Sequence, residues 1–359
     1  MVDTAHGYKD AGIRSILCPL YLDQNKRIYY DRDKFLASLP DSIREPFAAG
    51  IKDKIMSMDE YLALVEGIVS DQKNEIEEGW VEVQLHPNGG QWCSDQALLQ
   101  MKEYALSHKM NIHLHLLETK YQREYAIRTW GKNFIKHYAD IGFLGPWVSF
   151  AHAVYLDDED LALIKESGAT LVNNPSSNLR LRSGSFRIHK VHELGINAGI
   201  GLDGCAYDDD QDYLREIRTA WLNNSETGVD GEVDYMKVLK MATSGGASVA
   251  AGKLSEGVIR AGANVDFVCI DSDRLYKPYA DSYLDPLALL VQKATRDYVE
   301  LAVVNGEIAW KKGSEYEDKE NEAAARLADS IRAWREGHPG RRDNELLISY
   351  VHDFYKDVK

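Results

Sequence analysis

The chain has 359 residues, 44% of them apolar and 28% charged, which suits one large barrel domain or two ordinary domains. Its 57 acidic and 42 basic residues leave a net charge of −15, which opposes a nucleic-acid partner, and no run of about 18 apolar residues offers a membrane span. Residues Met1 to Asp10 lack a basic start leading into an apolar run, so the sequence reads as free of a signal or transit peptide and its expected location is the cytoplasm.

In chain order, Ile13 to Tyr21 is the first strand-like run. A long excursion from Asp23 to Trp80 follows, with a helix predicted around Met58 to Glu75 that gathers Tyr61, Leu62, Val65, Ile68 and Val69 on one face. Val81 to Leu85, Ile112 to Leu117, Val148 to Ala151, Thr170 to Asn173 and Ala198 to Leu202 are further short apolar runs, nearly continuous as fully buried parallel strands are. Helical patterns with start signals separate them, such as Ser94 ahead of Ala97 and Leu98, or Asp157 ahead of Leu161 and Ile164. Past residue 250 the texture changes. Asn264 to Asp271 and Val299 to Ala309 are strand-like, and Asn305-Gly306 marks a hairpin turn. The tail, Glu315 to Lys359, reads as two amphipathic helices broken at Gly337-His338-Pro339-Gly340.

Strands alternating with helices imply an α/β (β/α)8-type barrel, but only six barrel strands are countable where closure takes eight. The expected architecture is an incomplete barrel over 1–250, part of a small β-sandwich over 251–312, and C-terminal helices over 313–359. Cys18, Cys93, Cys205 and Cys269 are scattered, without a CxxC pair, and are expected to be free thiols.

Ionisable residues close several strand candidates, where barrel active sites are built. In Ile112-His113-Leu114-His115-Leu116-Leu117-Glu118, the two histidines share a face by the period of two. Only His115 lies near the strand's end, which makes it a candidate metal ligand with Glu118 beside it; His113 better suits a core histidine bonded to neighbouring backbone. Val148 to Ala151 runs into His152, and two successive strands that end in histidine strengthen each other. Ala198 to Leu202 runs into Asp203, whose carboxylate suits both cation binding and taking a proton from bound water. Asn173 to Asn178 reads as a turn-rich loop presenting amides and hydroxyls, Asn178 among them, while His86 is evenly balanced between a substrate contact and a loop histidine. The acids Asp208, Asp209, Asp210 and Asp212 lack the glycine and terminal glutamate of a calcium loop and read as helix-start residues.

The ordered set HLHLLET, SFAHAVYL, NNPSSNLRL and GLDG resembles the metal-dependent amidohydrolase superfamily, in the branch of guanine deaminase, S-adenosylhomocysteine deaminase and atrazine chlorohydrolase. GKLSEGVIRAGANVDFVCID and VELAVVNGEIAW look like that family's return into a small β-sandwich. The resemblance implies one zinc or iron ion held by His115 and Asp203, with Glu118 shuttling protons to a leaving amine, His152 polarising the developing alkoxide and Asp203 doubling as general base. It further implies substrate contacts from His86, Asn88 and Gln91, and a heterocyclic small molecule as partner, a homo-oligomer being compatible with it. The expected activity is aminohydrolysis of a purine, pyrimidine or triazine, with chlorohydrolysis, ring-amide hydrolysis or a non-catalytic remnant as alternatives. The family's first strand carries an HxH pair of ligands, and no HxH precedes His113-Leu114-His115 here; His6 stands alone. An N-terminally incomplete chain, with an open barrel prone to associate, is therefore expected.

Overall fold

The computed structural model describes residues 1–24, 28–51, 56–204, 210–228, 231, 233–249, 254, 256–278, 283–337 and 341–358. Its centre is an arc of parallel strands. The predicted first strand is two short pieces, β1 (Ser15–Leu17) and β2 (Leu20–Tyr21), because Pro19 between them has no N–H to give to a ladder. Next come β3 (Val81–Val83) and β4 (His86–Pro87), then β5 (Ile112–Leu116), β6 (Val148–His152), β7 (Thr170–Asn173) and β8 (Ala198–Ile200). β1 pairs with β3, β2 with β4, and β5 to β8 pair in sequence order, all parallel. Single bridges Leu85↔Ile112 and Gly89↔His115 join the two groups into one arc of six strand positions. Among the described residues no strand joins β8 back to β1, so the barrel stands open there.

Helices cover the outer face through the apolar stripes that the sequence predicts. Met58–Asp71 buries Tyr61, Val65 and Ile68 and starts on a capping box between Ser57 and Glu60. Ser94 and Asp157 cap Asp95–His108 and Asp158–Ser167. The core between helices and arc holds Met101, Leu114, Phe134, Tyr138, Phe143 and Phe150, all essentially inaccessible. Gly199 in β8 permits a close approach, since a Cβ there would lie 3.0 Å from Gly246 Cα in the segment flanking the strand.

A separate antiparallel sheet orders β11 (Glu307–Lys311), β10 (Val299–Val304) and β9 (Phe267–Ile270). Asn305 (φ 54°) and Gly306 (φ 80°) form the predicted hairpin turn, whose primed geometry requires both positive angles. β9 is an edge strand with Val268 57% exposed. The tail forms two helices, Glu315–Gly337 and Arg341–Tyr355; His338, Pro339 and Gly340 lie outside the described residues. The second helix reaches back to the barrel. Tyr355 packs edge-on against Tyr29 and Tyr30 and beside Tyr121, and its hydroxyl accepts from Tyr29 N–H at 3.2 Å. Cys18, Cys93 and Cys269 are free thiols, and Cys205 lies outside the described residues.

Candidate active site

The C-terminal ends of β5, β6 and β8 deliver His115, His152 and Asp203 to one cavity of about 450 Å³, whose wall also includes Cys18, His86 and His113. At these ends the backbone is bent into the left-handed region at Leu117 (φ 46°), His152 (φ 72°), Ala153 (φ 52°) and Asp203 (φ 65°). Non-glycine residues hold such angles only where surroundings enforce them, and such residues cluster at functional sites.

His115 directs Nδ1 to the Asn88 carbonyl at 2.6 Å, so the proton sits there and the Nε2 lone pair is left for another partner. His152 is 1% exposed and gives Nδ1–H to Asn178 Oδ1 at 2.9 Å. Its Nε2 faces two carboxylates, Glu118 at 4.0 Å and Asp203 at 3.9 Å, and its ring lies nearly parallel to that of His115 with centroids 5.6 Å apart. Asp203 accepts from Ser177 Oγ at 2.5 Å and from Gly204 N–H at 2.8 Å. Gly201, just ahead of it, has no room for a side chain, because a Cβ would meet the Asn174 amide oxygen.

Burial sets the charge states. It raises the Glu118 carboxyl above the usual carboxylate range, opposed by His115 and reinforced by Asp203. Burial lowers His115, with His152 adding to the effect, and it lowers His152 against the pull of the Asn178 hydrogen bond and Asp203. His86 is pushed down to about 4 and His113 to about 3, burial being the main cause for both. These are neutral imidazoles at pH 7.

The structure thus gathers His115, Glu118, His152 and Asp203 around one point and brings His86 into the same wall. The remaining predicted contacts fall elsewhere. Asn88 acts through its carbonyl on His115; Gln91, in the turn after β4, is 1% exposed; Asn178 is buried behind His152 and orients it. Asn173 to Asn178 is not a loop throughout: a helix, Pro175–Arg180, starts at Pro175, whose fixed φ and missing N–H suit the first helical position. His113 bonds Ser149 Oγ at 2.7 Å, a side chain rather than backbone. His6, on the N-terminal helix Val2–Asp10, meets Gln72 at the end of Met58–Asp71. Asp212 caps the helix Tyr213–Asn224, as its helix-start reading expects, while Asp208 and Asp209 lie outside the described residues. Ser177 was not singled out in the sequence, and the SSN run around it is its one local signal.

A divalent cation suits this site in charge and donor type. Two carboxylates lie about 4 Å from His152 Nε2, the His115 ring stacks on that of His152, and among the described residues neither carboxylate pairs with a lysine or arginine. In number the donors fall short: among the described residues no three His, Cys, Asp or Glu side chains are grouped to hold a metal ion.

A family model described as "Amidohydrolase family" matches residues 8–309. The chain is 32% identical over 231 residues to 5'-deoxyadenosine deaminase of Methanosarcina mazei, covering 64% of this chain and 52% of that protein. It is 31% identical over 233 residues to 5-methylthioadenosine/S-adenosylhomocysteine deaminase of Syntrophobacter fumaroxidans, covering 65% and 52%. The chain therefore spans about half the length of these curated relatives. Among solved structures, a zinc-bound adenosine deaminase from Xanthomonas campestris superposes with a TM-score of 0.75 at 22% identity, over 94% of this chain and 69% of that one. Zinc-bound atrazine chlorohydrolase from Arthrobacter aurescens gives 0.72 at 21%, over 90% and 68%. These likenesses share the barrel fold, and with the family match they place the sequence: the chain belongs to the amidohydrolase family.

Proposed function

We propose that this chain carries the larger share of the active site of a metal-dependent aminohydrolase that removes an exocyclic amino group from a purine or related heterocycle. The observation that carries the reading is the placement of His152 Nε2, at the end of β6, about equally far from the Glu118 carboxylate that follows β5 and the Asp203 carboxylate that follows β8. The deaminases among its relatives, each about twice the length of the matched region, support it.

His115 and Asp203 would hold a zinc or iron ion, with further donors supplied from outside this chain. Such an ion, when bound, supplies an activated water at neutral pH. Asp203 takes a proton from the attacking water. Glu118, whose carboxyl is raised by burial toward the range of a proton donor, passes a proton to the substrate nitrogen. His152, fixed by Asn178, meets the charge developing on oxygen. In balance, water gives its oxygen to the ring carbon and one proton to the amine, which departs as ammonia, while the other proton stays on the product. His86 reaches the same cavity as a neutral ring able to contact the substrate. Asn88, Gln91 and Asn178 remain proposed only as supports of that pocket.

The test is ammonia release from adenosine, 5'-deoxyadenosine, S-adenosylhomocysteine and guanine by metal-complete protein, with Asp203→Ala alongside. Release that Asp203→Ala abolishes is expected. Release that survives the substitution contradicts the mechanism. A second reading, a non-catalytic family member, is favoured by the short donor set, and it predicts no release and no bound metal under any condition.

A further inference from the structure

The helix Glu315–Gly337 is 23 residues long and buries none of them, so tertiary packing does not explain its apolar content. Leu327 is 61% exposed and Ile331 44%. With Ala324 and Ala328 they form one stripe at three- and four-residue spacing. The start of the helix is fixed to the small sheet, where Glu320 pairs with Arg296 and accepts from Trp310 Nε1–H at 3.2 Å. The stripe is therefore held at a set position on the surface, facing outward.

We propose that this stripe pairs antiparallel with the same helix of a second copy of the chain. Charge selects both the occupant and the direction. Residues 315–325 carry five acids and one base, a net of −4, and residues 326–337 carry three bases and two acids, a net of +1. A parallel pair would set −4 against −4, whereas an antiparallel pair sets each acidic half beside the half bearing Arg326, Arg332 and Arg335. In that direction the large Leu327 and Ile331 meet the small Ala328 and Ala324 of the other copy, a fit of ridge into groove. A two-fold pair of this kind is self-complementary and closes on itself. The inference does not depend on the proposed activity.

Sedimentation velocity of the full chain across a wide range of concentration tests it, with Leu327→Glu/Ile331→Glu as the variant. Neither side chain is buried in the chain's own core, so the variant keeps the wild-type helical content by circular dichroism. The expected result is a concentration-dependent dimer in the wild type and a monomer throughout in the variant. Val268→Lys, on the exposed edge strand, serves as control and keeps the dimer. Arg332→Glu/Arg335→Glu weakens it. A wild type that stays monomeric, a dimer that persists in the helix variant, or a dimer lost through Val268→Lys overturns the proposal.

Discussion

Ser177, wholly buried in the first turn of the helix that opens at Pro175, donates its hydroxyl to the Asp203 carboxylate over 2.5 Å. The bond joins the end of β7 to the end of β8 and holds Oδ2, the carboxylate oxygen that faces His152, while Gly204 N–H holds the other. Hydrogen bonds to charged groups are worth about 1.5–3 kcal/mol, so Ser177→Ala is expected to lower kcat of metal-complete protein roughly 10- to 100-fold. Steady-state ammonia release measures it, and an unchanged kcat would show that the bond does not position Asp203.

Acid is expected to destabilise the metal-free chain through its buried histidines. The folded protein holds His86 at about 4 and His113 at about 3, whereas an unfolded chain protonates histidine near 6.5. Between those values the unfolded state binds more protons, so stability is intact above about pH 6.5 and falls as pH drops toward 4. Each histidine contributes about 1.4 kcal/mol per pH unit in that window. Urea midpoints at pH 7 and pH 5 report the loss, and His113→Gln should flatten the slope. A stability that does not change between these pH values would mean that the rings are solvated.

The C-terminal helix is expected to hold the segment that follows β2. Tyr355 is 4% exposed among Tyr29, Tyr30, Tyr121 and Phe354, and Lys120 Nζ donates to the Val358 carbonyl nearby. Tyr355→Ala should cost about 3–5 kcal/mol by the cavity it leaves, and Tyr355→Phe about 1 kcal/mol by the lost acceptor for Tyr29 N–H. Chemical denaturation distinguishes the two. Equal losses would assign the effect to the hydroxyl rather than to packing.

β5 to β8 were legible in the sequence because buried parallel strands read as unbroken apolar runs, and His115, His152 and Asp203 stood out as polar residues closing those runs. The break at Pro19 and the helix at Pro175 were legible in principle, since proline chemistry sets both, but hydrophobic pattern alone passes over them. Ser177 and Tyr355 were not legible. Their roles come from partners 26 and 326 residues away in sequence, and no local periodicity records such contacts. The Asn88 carbonyl that orients His115 is hidden for a further reason, because any residue supplies a carbonyl.

In the proposed enzyme, His115 and Asp203 are part of a metal shell whose remaining donors come from outside this chain. Elemental analysis of metal per chain tests it most directly, on the chain as it stands and on a form extended upstream with a segment bearing an HxH strand. About one zinc or iron per chain in the extended form, and none in the chain alone, is the predicted result. Stoichiometric metal on the chain alone, or none in either form, would contradict it.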